Sequence, residues 1–192
     1  MSPDAHPVLG IFASDRGPGD AERSSIMSQA GSYFARKGAR LVCLGDEETL
    51  PVPLLTSARA AGGEVTIIAD SAFRGPASLS GIAVERLDGV EQRLSRMALL
   101  SNLYVALPGS LASASGLFMT WVRGGGGGGG KPVIFYDRNG AFRVLRGYTA
   151  DIIANSVQRY DQMVQFADSI EDVWNKIVWL IDSNATAPAT RD

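Results

Sequence analysis

Short apolar runs alternate along this chain with longer segments in which apolar residues return every three or four positions. The short runs are rich in Val, Ile and Leu, as buried strands are. They cover residues 8–13, 40–44, 64–69, 103–107, 132–136 and, more weakly, 163–167. Because each gap between them is long enough for a helix, the pattern predicts βαβ units with parallel strands.

The intervening segments have the apolar spacing of helices that pack on a sheet. One apolar face runs from Ile26 to Phe34 before a stop at Lys37-Gly38, and similar faces occupy 90–100 and 170–180. Right-handed crossovers place such helices on both sides of a sheet. The predicted fold is therefore α/β: a doubly wound, Rossmann-like, mostly parallel sheet with helices on both faces.

The same pattern predicts one domain, at residues 8–182. We expect a disordered leader at 1–7 and a disordered tail at 183–192. Residues 71–89 contain glycine, proline and serine in place of an apolar run, which indicates a surface excursion. The seven consecutive glycines at 124–130 predict a mobile loop, because glycine loses the most backbone entropy on ordering. A phosphate-cradling loop is the alternative, although a uniform run offers no anchoring side chain.

Composition narrows the function classes. The 192 residues, 45% hydrophobic and 20% charged, suffice for one core without disulfides or metal. A net charge of -2 without a basic stripe argues against nucleic-acid and membrane partners. The lone Cys43 reads as a buried hydrophobe and the lone His6 excludes a histidine cluster, so we predict no metal and no cofactor. A cytoplasmic location follows from the missing signal-peptide pattern and the missing disulfides.

Three stretches carry a recognisable motif: R-L-S-R-M at 93–97, L-Y-V-A-L-P-G-S at 103–110 and K-P-V-I at 131–134. They resemble the hallmarks of the LONELY GUY family, once described as lysine decarboxylase-like, which are R-K-x-x-M and P-G-G-x-G-T-x-x-E. Its members are phosphoribohydrolases that cleave the N-glycosidic bond of cytokinin nucleotides or AMP. Molybdenum-cofactor carrier proteins are similar in fold and lack that role. The resemblance covers about residues 8–180 and implies a Rossmann-like fold.

The chain departs from the family pattern at the positions that carry its chemistry. Leu94 stands where the motif has lysine, and Gly116 stands where it has glutamate. Ser110 and Ala112 replace glycines, and only Gly45 survives from the glycine-rich turn of the family. N-glycosidic cleavage needs a carboxylate to stabilise its oxocarbenium-like centre. We therefore predict no catalytic residues.

The motif positions that are retained suggest a site for an anion. A strand that enters a helix through Pro108-Gly109-Ser110 presents backbone amides where the helix dipole favours a phosphate, and Arg93 can grip an anion bidentately. The predicted ligand-binding residues are Ser14, Gly45, Arg93, Pro108, Gly109, Ser110 and Ser113. Two alternatives stay open: the small residues only let the helix pack on the sheet, and Arg93 is a solvated helix charge, as is Arg96.

Acidic residues near the predicted strand ends also have two interpretations. Asp137 could replace the missing glutamate at the end of its strand, or it could form a turn over residues 137–140. The acidic residues 46–48 would repel a phosphate, or they could cap the helix that follows.

The sequence predicts a divergent member of the family that binds a nucleotide-like or other phosphate-bearing ligand as a carrier or sensor, with the hydrolase chemistry lost. An active phosphoribohydrolase is the alternative, and a structural dimer without a ligand is a further one. We expect a homodimer, because related proteins pair through helices near the site. The predicted interface also contains a cluster of aromatic residues that exceeds what one helix layer usually buries, namely Phe118, Trp121, Trp174 and Trp179.

Overall fold

Parallel pairing organises the whole sheet. The computed structural model describes residues 6–14, 20–46, 49–123, 130–147 and 163–186. The strands in these ranges are β1 (Val8–Phe12), β2 (Arg40–Leu44), β3 (Val65–Ala69), β4 (Ala83–Arg86), β5 (Leu103–Ala106), β6 (Val133–Tyr136) and β7 (Val164–Ala167). They form one seven-stranded sheet in the order β4-β3-β2-β1-β5-β6-β7, and each neighbouring pair is parallel. This confirms the predicted fold class.

Helices cover both faces of the sheet. They are α1 (Asp20–Arg36), α2 (Val52–Ala60), α3 (Val90–Leu100), α4 (Leu111–Arg123) and α5 (Ile170–Thr186). The apolar residues of α1, α2 and α5 form one core with one side of the sheet, and those of α3 and α4 form a second core with the other side. The chain is therefore doubly wound. Phe118 on α4 and Trp174 on α5 lie on opposite faces, so the aromatic residues expected to share one interface do not form one cluster.

Strand β4 was not predicted from the sequence. It lies inside the expected excursion at 71–89 and forms the edge of the sheet, where three of its four residues are exposed. An edge strand that is solvated on both faces needs no apolar run, which explains why the hydrophobic pattern missed it. The expected leader and tail lie largely outside the described residues, although α5 continues to Thr186. The glycine run also lies outside them, except for Gly130.

The order of the strands reverses between β1 and β5. From β1 the chain proceeds outward through β2, β3 and β4, and then it returns to the other side of β1 with β5. The loops that follow β1 and β5 thus leave the sheet in opposite directions. In open parallel sheets this reversal opens a crevice at the carboxyl ends of the two strands, where ligands bind.

Two glycines inside helices have opposite surroundings. A Cβ atom on Gly31 in α1 would overlap the carbonyl oxygen of Leu54, so α1 and α2 approach each other only because this side chain is absent. A Cβ atom on Gly116 in α4 would lie 3.7 Å from Leu44 Cδ1 and 3.7 Å from Phe12 Cε1, which is ordinary van der Waals contact. Gly116 is thus not required by packing.

We predict that Gly116→Ala raises the free energy of unfolding by about 0.5–1 kcal/mol, because alanine loses less backbone entropy in a helix than glycine. Gly31→Ala is the matched control, and its overpacking should lower the same quantity by about 1–3 kcal/mol. Urea unfolding followed by circular dichroism measures both. A destabilised Gly116→Ala would show that α4 has no room at this position.

Candidate functional site

A cleft of about 600 Å³ lies where the strand order reverses. Its walls come from the end of β1, from the turn after β5, from one side of α4 and from the segment after β6. Described residues that line it are Phe12, Arg23, Ala106, Leu107, Pro108, Gly109, Ser110, Ser113, Ala114, Leu117, Phe118, Phe135, Ala141, Phe142 and Leu145. Four of the predicted ligand-binding residues, Pro108, Gly109, Ser110 and Ser113, are thus together in one cleft.

Two serines cap the N-terminus of α4 reciprocally. The backbone N–H of Ser110 donates to Ser113 Oγ at 3.0 Å, and the N–H of Ser113 donates to Ser110 Oγ at 3.3 Å. The first regular turn then closes from Ala114 N–H to the carbonyl of Ser110. This arrangement is a capping box with serine in both positions, and it holds the polar end of the helix at the cleft.

Gly109 and Ser14 meet backbone to backbone. A Cβ atom on Gly109 would lie 3.0 Å from the backbone nitrogen of Ser14 and would overlap Ser113 Oγ. Ser14 is fully buried and adjoins the cleft without lining it. Glycine is therefore required here for close packing of the turn on the end of β1. This agrees with the alternative in which the small residues serve packing on the sheet. The cleft beside the turn leaves the binding interpretation open as well.

Gly45 and Arg93 lie on the β2 side of the reversal and do not line the cleft. Arg93 is buried, and its guanidinium donates to the carbonyls of Leu87 at 3.1 Å and Asp88 at 2.9 Å. It also lies 3.8 Å from the Asp46 carboxylate. Arg93 is thus no solvated helix charge, and that alternative is wrong. Its role toward a ligand stays a prediction.

The acidic residue beside Arg93 does not cap a helix. Helix α2 begins at Val52 with Pro51 as its N-cap, and no side chain caps it. The capping interpretation of the acidic segment is therefore wrong for Asp46; residues 47–48 lie outside the described ones. On the other side of Arg93, the hydroxyl and backbone N–H of Ser71 donate to Asp88 and lower the pKa of that carboxyl.

Asp137 is engaged by its own loop. Its side chain is 4% exposed and follows β6. Oδ1 accepts a hydrogen bond from the backbone N–H of Phe142 at 2.6 Å, and Oδ2 lies 3.1 Å from Nε of Arg146. Asn139, in the turn that follows, has a positive φ of 60°. These contacts bear out the turn interpretation. Asp137 does not line the cleft, so the geometry gives no support to a catalytic role for it.

The position of the missing glutamate is apolar. Gly116 faces Phe12 and Leu44, and the described residues that line the cleft include no carboxylate. Within the described part of the chain, no group of three or more His, Cys, Asp or Glu side chains is placed to hold a metal ion. Cys43 is fully buried, and this burial raises the pKa of its thiol to about 12. None of the described helices is both long and apolar enough to cross a membrane.

Sequence reasoning missed the phenylalanine side of the cleft and Arg23. Phe12, Phe135 and Phe142 come from separate elements and look like ordinary core residues in the sequence, and Phe118 was predicted for a dimer interface rather than for the cleft. Only the position of Phe12 at the end of the first strand offered a signal, since ligands bind beyond strand ends in such sheets.

Solved structures with the same fold include molybdenum-cofactor proteins. The molybdenum cofactor carrier protein of Chlamydomonas reinhardtii has a TM-score of 0.67 and 16% identity, over 93% of this chain and 99% of that one. The molybdenum cofactor binding protein of Rippkaea orientalis has a TM-score of 0.65 and 19% identity, over 95% and 99%. The structural-genomics target TM1055 has a TM-score of 0.66 and 20% identity, over 91% and 99%. At these identities the likeness shows a shared fold.

No protein-family model and no curated protein matches the sequence. Membership of the LONELY GUY family stays a prediction for this reason. The Rossmann-like fold that the motifs implied is what the solved structures support.

We predict that Arg93→Met lowers the free energy of unfolding by about 2–4 kcal/mol, because it leaves the carbonyls of Leu87 and Asp88 without their buried donor. Arg96→Met, on the same helix, is the control. Arg96 is 37% exposed and pairs with Glu85 at 2.7 Å, so its loss should cost less than about 1 kcal/mol. Denaturant titration of both variants measures these free energies. If Arg93→Met costs no more than about 1 kcal/mol, the hydrogen bonds of Arg93 to the two carbonyls do not stabilise the fold.

Proposed function

We propose that this chain binds a small phosphate-bearing ligand in the cleft between β1 and β5, as a carrier or sensor without hydrolase activity. The observation that carries the proposal is the cleft itself, because it opens at the reversal of the strand order and has the polar end of α4 on its wall. The proteins of similar fold that are named for carrying or binding the molybdenum cofactor support a carrier. That cofactor is one candidate ligand.

Two features of the cleft suit an anion. Arg23, near the start of α1, lines the cleft and brings a positive charge to it. Ser110 and Ser113 hold the N-terminus of α4 at the same cleft, and the partial positive charge of a helix N-terminus favours a phosphate. We therefore expect the anionic group of the ligand to lie near Arg23 and the N-terminus of α4.

Loss of the hydrolase chemistry is part of the proposal. Gly116 supplies no carboxylate, and Asp137 is occupied by Phe142 and Arg146. An acid or base in the right place accelerates such a reaction by about 10²–10⁴-fold. The active phosphoribohydrolase thus lacks its main support among the described residues. A cytoplasmic location and the absence of nucleic-acid and membrane partners belong to the same proposal.

We predict that AMP binds in this cleft and stays intact. Isothermal titration should detect binding, and chromatography of the same mixture should show no free adenine beyond the buffer control. Ala114→Trp should weaken binding at least about tenfold, roughly 1.4 kcal/mol, because Ala114 lines the cleft and the indole would fill it.

The control for this variant is Ser115→Trp. Ser115 is exposed and adjacent in sequence but does not line the cleft, so binding should be unchanged. Release of adenine by the unmodified protein would replace the carrier with the phosphoribohydrolase. No binding of AMP would contradict this prediction, and the proposed function fails altogether if neither AMP, ribose 5-phosphate, the molybdenum cofactor nor any aryl or alkyl phosphate binds.

A homodimer that pairs through the α3 and α4 face completes the proposal. Exposed apolar side chains occur on both helices: Leu99 is 72% exposed and Phe118 is 61% exposed. Apolar surface of this kind on neighbouring helices is typical of an interface between copies. The alternative function, a structural dimer without a ligand, would have the same interface, and it would differ from the proposal only in that the cleft binds nothing.

We predict a dimer at micromolar concentrations by light scattering. Leu99→Glu should raise the dimer dissociation constant at least about tenfold, because it places a carboxylate in the apolar interface. Ala60→Glu, exposed on α2 across the sheet, should leave it unchanged. A monomeric scattering mass for the unmodified protein would refute the pairing, whatever the cleft binds.

A further inference from the structure

We infer that the ligand carries a flat apolar ring next to its anionic group, and that the phenylalanine side of the cleft recognises this ring. The inference rests on the proposed function and adds the chemical class of the ligand. It separates an aryl phosphate from a sugar phosphate or inorganic phosphate, and also from ligands with a polar heterocycle such as AMP.

The cleft is divided into a polar end and an aromatic side. The side-chain polar groups among its described lining residues belong to Arg23, Ser110 and Ser113. Phenylalanine rings come from β1, α4, β6 and the segment after β6. Aromatic side chains favour ring partners in offset or edge-to-face contact. A ligand that satisfies both parts must be amphiphilic, with its anion near α4 and its ring against the phenylalanines.

The aromatic side is fixed by groups that lie behind it. The ring of Phe135 lies 5.0 Å from that of Phe142 and stacks on that of Phe166 at 5.4 Å between centroids. The guanidinium of Arg146 lies 4.8 Å from the centre of the Phe166 ring. Each of these rings is therefore held by another aromatic or cationic group.

Asp137 ties this cluster to the end of β6. Its carboxylate accepts from Phe142 N–H and pairs with Arg146, so it fixes both ends of the segment 142–146, which forms one wall of the cleft through Phe142 and Leu145. It does so without lining the cleft and is thus a positioning residue. A wall that is already ordered pays little entropy when a ring packs on it, which favours rigid, flat ligands over flexible chains.

The decisive experiment compares four phosphates by isothermal titration on the intact protein: 1-naphthyl phosphate, octyl phosphate, AMP and ribose 5-phosphate. We expect 1-naphthyl phosphate to bind roughly tenfold or more tightly than each of the others, because only it offers an apolar ring. Equal binding of 1-naphthyl phosphate and ribose 5-phosphate overturns the inference and leaves the proposed function intact. If octyl phosphate binds as tightly as 1-naphthyl phosphate, the cleft recognises any apolar group, and the inference that it recognises a flat ring is overturned. If no phosphate binds, the proposed function itself fails.

Variants then test the phenylalanines. Phe118→Ala removes a ring that is 61% exposed, so the fold should tolerate it, and it should weaken 1-naphthyl phosphate about tenfold but ribose 5-phosphate less than twofold. Because Phe118 also lies on the proposed dimer face, binding is compared at a concentration where light scattering gives the variant and the unmodified protein the same mass. Phe142→Leu keeps apolar bulk and removes the ring, with the same expected pattern. Val144→Ala is the control in the same segment, since Val144 is 87% exposed and does not line the cleft. Equal weakening of both ligands by the two phenylalanine variants would overturn the inference.

Discussion

The contact between two backbone segments at the reversal of the strand order is the constraint on which the rest of this structure depends. Gly109, in the turn after β5, lies against the backbone nitrogen of Ser14 after β1, with no room for a Cβ atom. This contact packs the turn closely on the end of β1. Helix α4 begins two residues after Gly109 and therefore starts at this end of the sheet. The serine capping box and the α4 wall of the cleft take their positions from this contact.

Charged residues at this end of the sheet serve mainly the backbone. Arg93 donates to the carbonyls of Leu87 and Asp88, and Arg86 donates to the carbonyl of Asp70 at 3.0 Å. Carbonyls that are shielded from water and lack a donor are costly, so Arg93 in particular stabilises a loop that makes no regular pairs. The loops after β3 and β4 are thereby held in place at the β4 edge of the sheet. A guanidinium that serves two carbonyls has fewer donors left for an anion.

The hydrophobic pattern predicted the strands that have an apolar run, including the edge strand β7, and the motif at Pro108 predicted the polar end of the site. The hydrophobic pattern could not predict β4, because this edge strand is mostly exposed and has no apolar run. It also could not predict what Arg93 binds, since a guanidinium suits a phosphate and a backbone carbonyl equally well. The aromatic side could not be predicted for another reason: Phe12 and Phe142 are far apart in sequence, and only the tertiary fold brings them to the same cleft.

The glycine at 116 is consistent with the surroundings that the fold gives it. This position faces Phe12 and Leu44, beside a small cavity of about 10 Å³ that is also lined by Thr49 and Ser113. A carboxylate in this small and mostly apolar cavity is costly unless a cationic partner stabilises it. A hydrolase retains such a carboxylate because it stabilises the positive charge that develops in the transition state, whereas the same carboxylate would repel a bound phosphate. A protein that only binds an anion here is therefore more stable with glycine than with glutamate at this position.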